Sequence, residues 1–392
     1  MSSILIWTGF FLALAVLLFV SRKNFAAAMF LGAFILAVFT TPLNEIALPF
    51  ISAFTDPSTI LLALAVGLIP IIGGTLKETG QLDNLVKNMR IGKKAFLALS
   101  PALVGMLPMP GGALLSAPLV EKAGKGISNE KKVGLNIWFR HILYLIYPLA
   151  PSLIVSAQQV NLEIYQVIPY LAPILLLSSF LGYFFFIKDV PGKMEYKERF
   201  SLKKLLPPLA AICIAPVLDF ILKDVVSPRE LATVIGVSTS LLLILAVGRV
   251  NARNFCEITK NSAPWNFALM MIGIQAFRYA FENSGLREAI MELEIATVIL
   301  CVLVGGFLGF GTGRIITPAV IILPVLKPPV SPAIFAITYF SIFLGYVLTP
   351  VHPCVSLSTQ FFKVEVKDFL RAIFPPVLIG FVVSFILLFI IS

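Results

Sequence analysis

The sequence predicts an all-α, polytopic membrane protein with about ten transmembrane helices and two re-entrant hairpins, arranged as two inverted-topology repeats. Three observations predict it. First, of 392 residues 58% are hydrophobic and only 13% charged, about half the charged fraction of a soluble domain. Too few charges remain to cover a water-facing surface, which excludes a soluble enzyme and a disordered chain. Second, apolar stretches of spanning length recur from end to end, with a mean hydropathy of +0.97. Third, two Gly- and Pro-rich strings occur once in each half, in the same order.

Crossing about 30 Å of hydrocarbon takes about 20 residues of helix. Stretches near that length run over 3–21, 25–42, 57–76, 133–160 and 164–187, then over 204–222, 230–248, 264–281, 330–360 and 371–391. The first lacks the basic start and small-residue cleavage site of a signal peptide, so it is expected to stay as a helix. Arg22 and Lys23 after it belong in the cytoplasm by the positive-inside rule, which puts the N-terminus outside.

Two further apolar segments, 95–120 and 296–326, are broken by Gly and Pro. Lys87, Arg90, Lys93 and Lys94 precede the first, and Lys122, Lys125, Lys131 and Lys132 follow it, so both ends belong to the cytoplasm and the segment must enter and return. Its arms of about ten residues reach about 15 Å as helix, half the hydrocarbon thickness. Lys188 to Lys204 carries six basic residues and reads as a cytoplasmic linker over 190–203, between a first repeat at 1–189 and a second at 204–392. An odd number of crossings in the first half inverts the second, so that its hairpin opens outward and the C-terminus lies outside.

The repeat rests on two alignments. GMLPMPGGALLS (Gly105 to Ser116) lies over GFLGFGTGRIIT (Gly306 to Thr317), and PLAPSLIVSAQ (Pro148 to Gln158) over PVHPCVSLSTQ (Pro350 to Gln360). Matched helix breaks in inverted halves point to a transporter's binding site near the bilayer midplane. Half-helices starting after Gly112, Pro151, Gly313 and Pro353 would aim unpaired N–H groups at an anion. The expected substrate contacts are Gly111, Gly112, Ser116, Ser152, Ser156 and Gln158 in the first half, and Thr312, Gly313, Arg314, Thr317, Ser356, Ser358 and Gln360 in the second. Against this, Pro and Gly also kink packed helices, and Ser and Thr bond their own preceding carbonyls.

Among charges inside spans, Arg314 follows the glycine tip, where a guanidinium would grip a carboxylate. Arg140, eight residues past Lys132, is expected to snorkel, and Arg278 to pair with Glu282 one turn on. His352 is the candidate carrier of a coupling proton. Cys213, Cys256, Cys301 and Cys354 show no CxxC and no metal-ligand spacing, and His141 no HExxH, so no metal site and no catalytic residue is expected. Buried acids are scarce, which argues against cation/proton exchange. A net charge of +10 raises nucleic acid only for a soluble protein, and no nucleic-acid partner is expected here.

The hairpins, broken helices and inverted halves resemble the ion-transporter superfamily, which includes gluconate permeases, citrate carriers and sodium-dicarboxylate symporters. The string LPMPGGALLSAP, Leu107 to Pro118, is similar to a gluconate-permease hairpin, and Pro148 to Pro151 to that family's proline-rich break. The chain most resembles a prokaryotic branch, the domain-of-unknown-function family four-zero-one, over nearly its whole length. It lacks the Ser-Asn-Thr tripeptide of the dicarboxylate type and the Phe-Glu of the gluconate type, which leaves the substrate open. The resemblance implies a homodimer in the prokaryotic inner membrane that works as an elevator. The function expected is a secondary active transporter (permease) of a small organic anion, driven in symport by Na+ or H+ and using no cofactor. An uncoupled anion channel or exporter on the same scaffold is the alternative, and no Walker motif or enzyme constellation appears.

Overall fold

The computed structural model describes residues 3–21, 23–106, 112–194, 196, 199–292, 299–326 and 328–391. The first hairpin tip with Gly111, the expected start of the second hairpin, and the basic residues Arg22, Lys197 and Lys327 lie outside the described residues.

Among the described residues all regular structure is helical, as backbone groups in hydrocarbon require. The first half comprises α1 (Ser3–Val20), α2 (Phe25–Thr40), α3 (Leu48–Thr55), α4 (Pro57–Glu78) and α5 (Gln81–Asn88). There follow a hairpin of α6 (Lys93–Gly105) and α7 (Gly112–Ala123), a broken pair of α8 (Asn129–Ile142) and α9 (Pro151–Gln158), and α10 (Ile164–Gly182). The second half runs through α11 (Leu202–Leu222), α12 (Glu230–Gly248), α13 (Ala252–Ser262), α14 (Pro264–Glu282) and α15 (Leu286–Met291). Its hairpin is α16 (Gly305–Thr312) with α17 (Ile316–Ile322), its broken pair α18 (Pro332–Leu348) with α19 (Pro353–Phe362), and it ends in α20 (Val366–Ile391). Both short helices α5 and α15 start from a left-handed glycine, Gly80 and Gly285, each with φ of 68°.

Six helices are long and apolar enough to cross a membrane by length and composition: Pro57–Glu78, Ile164–Ile187, Leu202–Leu222, Glu230–Gly248, Pro332–Phe362 and Val366–Ile391. The other expected spans are helices too, but α1 and α2 are shorter, α8 is cut before Pro151, and α14 carries Arg278 and Glu282. Lipid-facing surface is visible directly: Phe11, Leu176, Phe180, Phe220, Leu242 and Phe389 are exposed, which water would penalise and acyl chains do not. Only 28% of the span in Leu202–Leu222 is buried, against 78% in Pro332–Phe362, so α11 is peripheral and α18 central.

Packing sorts the helices into two groups. In one, α4 packs on α12, α13 and α14, α14 on α2, and α11 on α5 and α12. In the other, the hairpins and breaks pack together: α6, α7 and α19 on α8, α16 on α18, and α17 on α9. Within the second group, α16 and α18 meet backbone to backbone. A Cβ on Gly345 would strike the Gly306 carbonyl oxygen, and one on Gly309 the Ile342 carbonyl oxygen, so α16 and α18 touch without side chains between them.

The segments expected in the cytoplasm gather at one end. Lys93 and Lys94 donate to the Pro191 and Lys188 carbonyls at 2.6 Å each, and Tyr196 donates to the Ile91 carbonyl. Asn129 donates to the Phe362 carbonyl at 3.1 Å, joining the two halves there. Segments expected outside meet elsewhere: Tyr165 and Thr233 donate to Asp219 at 2.7 and 2.6 Å, with Arg229 3.8 Å away. Cysteines replacing the exposed Lys125 and Lys193, with Cys213 and Cys256 changed to Ser, should therefore label with a membrane-impermeant maleimide only in inverted vesicles. Labelling of Lys125→Cys in intact cells would contradict a re-entrant first hairpin.

Candidate functional site

Both hairpins and both breaks converge on a cavity of about 280 Å³. Its wall is assembled from Met106 at the end of α6, Tyr144 and Ser152 around the first break, and Gly313 to Ile316 at the second tip. Tyr346 and His352 come from the second break, while Phe25 of α2 and Met270 of α14 come from the other helix group. The cavity thus lies on the junction between the groups.

Local sequence explains why chain ends point here. The starts of α2, α4 and α18 carry side-chain caps: Asn24 accepts from Ala27 N–H, Asp56 from Thr59 and Ser331 from Ile334. The half-helices α9 and α19 begin instead with Pro151 and Pro353 at the first position, and neither has a side-chain cap. Proline is favoured there because its missing N–H would have had no partner in the helix. Both prolines line the cavity, so two positive helix ends face it unneutralised. Gly313 closes the tip with φ of 60°, and its α-carbon lies so near the break that an added Cβ would stand 3.3 Å from His352 N. Thr312 Oγ1 donates to the Leu308 carbonyl at 2.7 Å and accepts from Arg314 N–H at 3.3 Å, which fixes the turn.

Electrostatically the cavity is one-sided. Arg314 lines it, partly buried, its guanidinium 5.3 Å from the centre of the Phe25 ring, and it forms no ion pair among the described residues. No aspartate or glutamate is found among the described lining residues. His352 and Tyr346 of the wall form a ring cluster with His141 behind them: His141 to His352 is 4.8 Å, Tyr346 to His352 4.4 Å and His141 to Tyr346 5.1 Å between centres. Tyr346 Oη and His352 Nε2 are hydrogen-bonded at 2.8 Å, and His352 Nδ1 is buried with no partner.

Of the residues expected to form the site, Ser152, Gly313, Arg314 and His352 line this cavity. Others serve structure: Ser116 donates to Ala113, Ser156 to Ser152, and Ser358 accepts from Asn136 at 3.0 Å. Thr317 is fully buried with its hydroxyl unpartnered. Gly112 sits one layer back, where its carbonyl accepts from Arg140 Nη1 at 2.8 Å. Gln158 lines a different cavity, of about 340 Å³, with Asp219, Arg229 and Arg278. Ser356 and Gln360 are exposed on the far face of α19.

Arg140 corrects the sequence reading. It does not snorkel: it is 3% exposed, laid against Gly105 and Gly112 where a Cβ on either glycine would strike it. Arg278 behaves as expected, bonded to Glu282 at 2.9 Å and to Asn161 at 2.6 Å. Tyr144 and Tyr346 were overlooked, although each stands four residues before the first proline of its break.

A family model described as "Protein of unknown function (DUF401)" matches residues 2–391. The chain belongs to the DUF401 family. Among solved structures this DUF401 chain is similar to the YdaH transporter of Alcanivorax borkumensis, described as having an unusual topology, with a TM-score of 0.61 and 12% identity. The match covers 95% of this chain and 97% of that one. At such identity the likeness is one of fold. Comparison with curated proteins gave no match.

Proposed function

We propose that this DUF401 protein is a secondary active transporter of a small organic anion, a carboxylate, built as two inverted repeats in the cytoplasmic membrane with both termini outside. One observation carries the reading. The junction cavity presents Arg314 and two uncapped half-helix N-termini, with no acid among its described lining residues. Such a cavity stabilises negative charge without a counter-charge of its own. Its volume of about 280 Å³ suits a small ligand and excludes a macromolecule. Its place between two helix groups, with breaks at matched positions, supports alternating access by movement of the hairpin group against the rest, an elevator in a homodimer. The similarity in fold to a protein described as a transporter agrees with this. His352, with Nδ1 unpartnered, is the candidate proton carrier; Na+ at carbonyls freed by the breaks is the other coupling route.

The test is a thermal-shift screen of purified protein against gluconate, di- and tricarboxylates and inorganic anions, with and without Na+. A ligand at 100 times its Kd adds about 2.7 kcal/mol to the native state, so at least one carboxylate should raise Tm by several degrees. Proteoliposome uptake of that carboxylate should then follow an imposed Na+ or pH gradient. Flux indifferent to both gradients would establish a channel, and no shift with any anion would remove the carboxylate reading.

A further inference from the structure

His141, His352 and Cys354 come from α8, the second break and the first turn of α19, and their ligand atoms lie within 4.8 Å of one another. We propose that they form a transition-metal site of the His2Cys type, taking Zn2+ or a similar borderline-soft ion, with a fourth position open to the junction cavity. A tetrahedral Zn2+ holds nitrogen and sulfur ligands about 3.3–3.6 Å apart, so the trio needs to close by roughly an ångström, within reach of side-chain rotation.

The surroundings favour coordination over packing. His141 Nδ1 stands 2.7 Å from the Ile137 carbonyl, which can only accept, so Nδ1 carries the proton and Nε2 keeps its lone pair. That is the outer-shell arrangement found behind metal-ligating histidines. His352 offers the second nitrogen: Nε2 lies 2.8 Å from Tyr346 Oη, and in the tautomer whose Nε2–H donates to that phenol oxygen, Nδ1, buried without a partner on a ring 5% exposed, keeps its lone pair for the metal. A buried ring nitrogen without a partner is costly unless something binds it. Cys354 contributes the soft ligand, and the Arg140 guanidinium stands beside its sulfur. Arg140 also repels a dication, and a bound thiolate offsets one of the two charges. Because His352 lines the cavity, the fourth ligand would be water or an oxygen of a bound anion, and a metal on His352 Nδ1 leaves coupling to Na+ rather than to a proton there.

Cobalt(II) titration of the protein carrying Cys213→Ser and Cys256→Ser tests this without any anion, so its outcome is independent of the transport reading. The expected result is one Co2+ per chain, with tetrahedral d–d bands and a sulfur-to-cobalt charge-transfer band in the near ultraviolet, all displaced by Zn2+. Cys354→Ser should abolish the charge-transfer band, and His141→Gln should weaken Co2+ binding at least tenfold while the protein stays monodisperse. No charge-transfer band in the parent, or a band that survives Cys354→Ser, overturns the site. If Cys354→Ser fails to fold, the His141→Gln titration decides: unchanged affinity overturns the proposal and a tenfold loss supports it.

Discussion

Replacing Arg314 by Ala should weaken binding of the carboxylate found in the screen by at least thirtyfold. Arg314 is the one fixed cation among the described cavity-lining residues, and no acid competes for it there. Removing one partner of a buried, hydrogen-bonded charge pair costs about 2–5 kcal/mol, and about 2 kcal/mol is already some thirtyfold in Kd. Arg314→Lys should fall between, because it keeps the charge and loses the planar fork. Arg278→Ala is the control, since that guanidinium is tied to Glu282 and Asn161 away from the cavity. Isothermal titration of the three variants settles it: equal affinity for wild type and Arg314→Ala takes the arginine out of the site.

Gly345→Val should cost the protein most of its folded yield. The Cβ alone would overlap the Gly306 carbonyl and crowd Phe310 N, and both are backbone, which cannot rotate away. Overpacking that displaces backbone costs about 1–3 kcal/mol or more, a large part of a typical total stability of about 5–15 kcal/mol. The expected readout is a fall in monodisperse protein on size exclusion and a lower Tm. Gly311→Val provides the comparison, because a Cβ there meets nothing within 4 Å. A Gly345→Val protein that melts like wild type would mean that α16 and α18 separate easily.

Much of this architecture could be read from the sequence because its signals are local. Glycine at a tip and proline at a break mark where helices end: α16 ends at Thr312 before Gly313, and α9 and α19 start at Pro151 and Pro353. Arg314 was legible for the same reason, as a charge directly after a glycine turn. Facing was not. Ser356 and Ser358 are two residues apart on one helix, yet the first is exposed and the second fully buried. Aligning the halves gives the position of a residue without the rotation of its helix. Arg140 was misjudged because depth was counted along its own helix, whereas its burial is imposed by the hairpin arms laid over it. The His141–His352–Cys354 group was invisible to spacing rules, since two of its members are close in sequence and the third arrives from the other half.

The broken helices of the two halves complete each other. Asn136 donates to Ser358, and Tyr339 Oη donates to the Tyr144 carbonyl and is hydrogen-bonded to Ser152 Oγ, at 3.0 Å in each case. This has a consequence for biogenesis. Ribosomes deliver the first half first, so Asn136, Tyr144 and Ser152 enter the membrane well before Tyr339 and Ser358 exist. Polar groups cannot wait bare in hydrocarbon; the nascent first half must keep them wet or shielded within the insertion machinery until synthesis nears its end. Final folding of this chain is therefore a late event, triggered by emergence of the last three helices rather than accumulated one hairpin at a time.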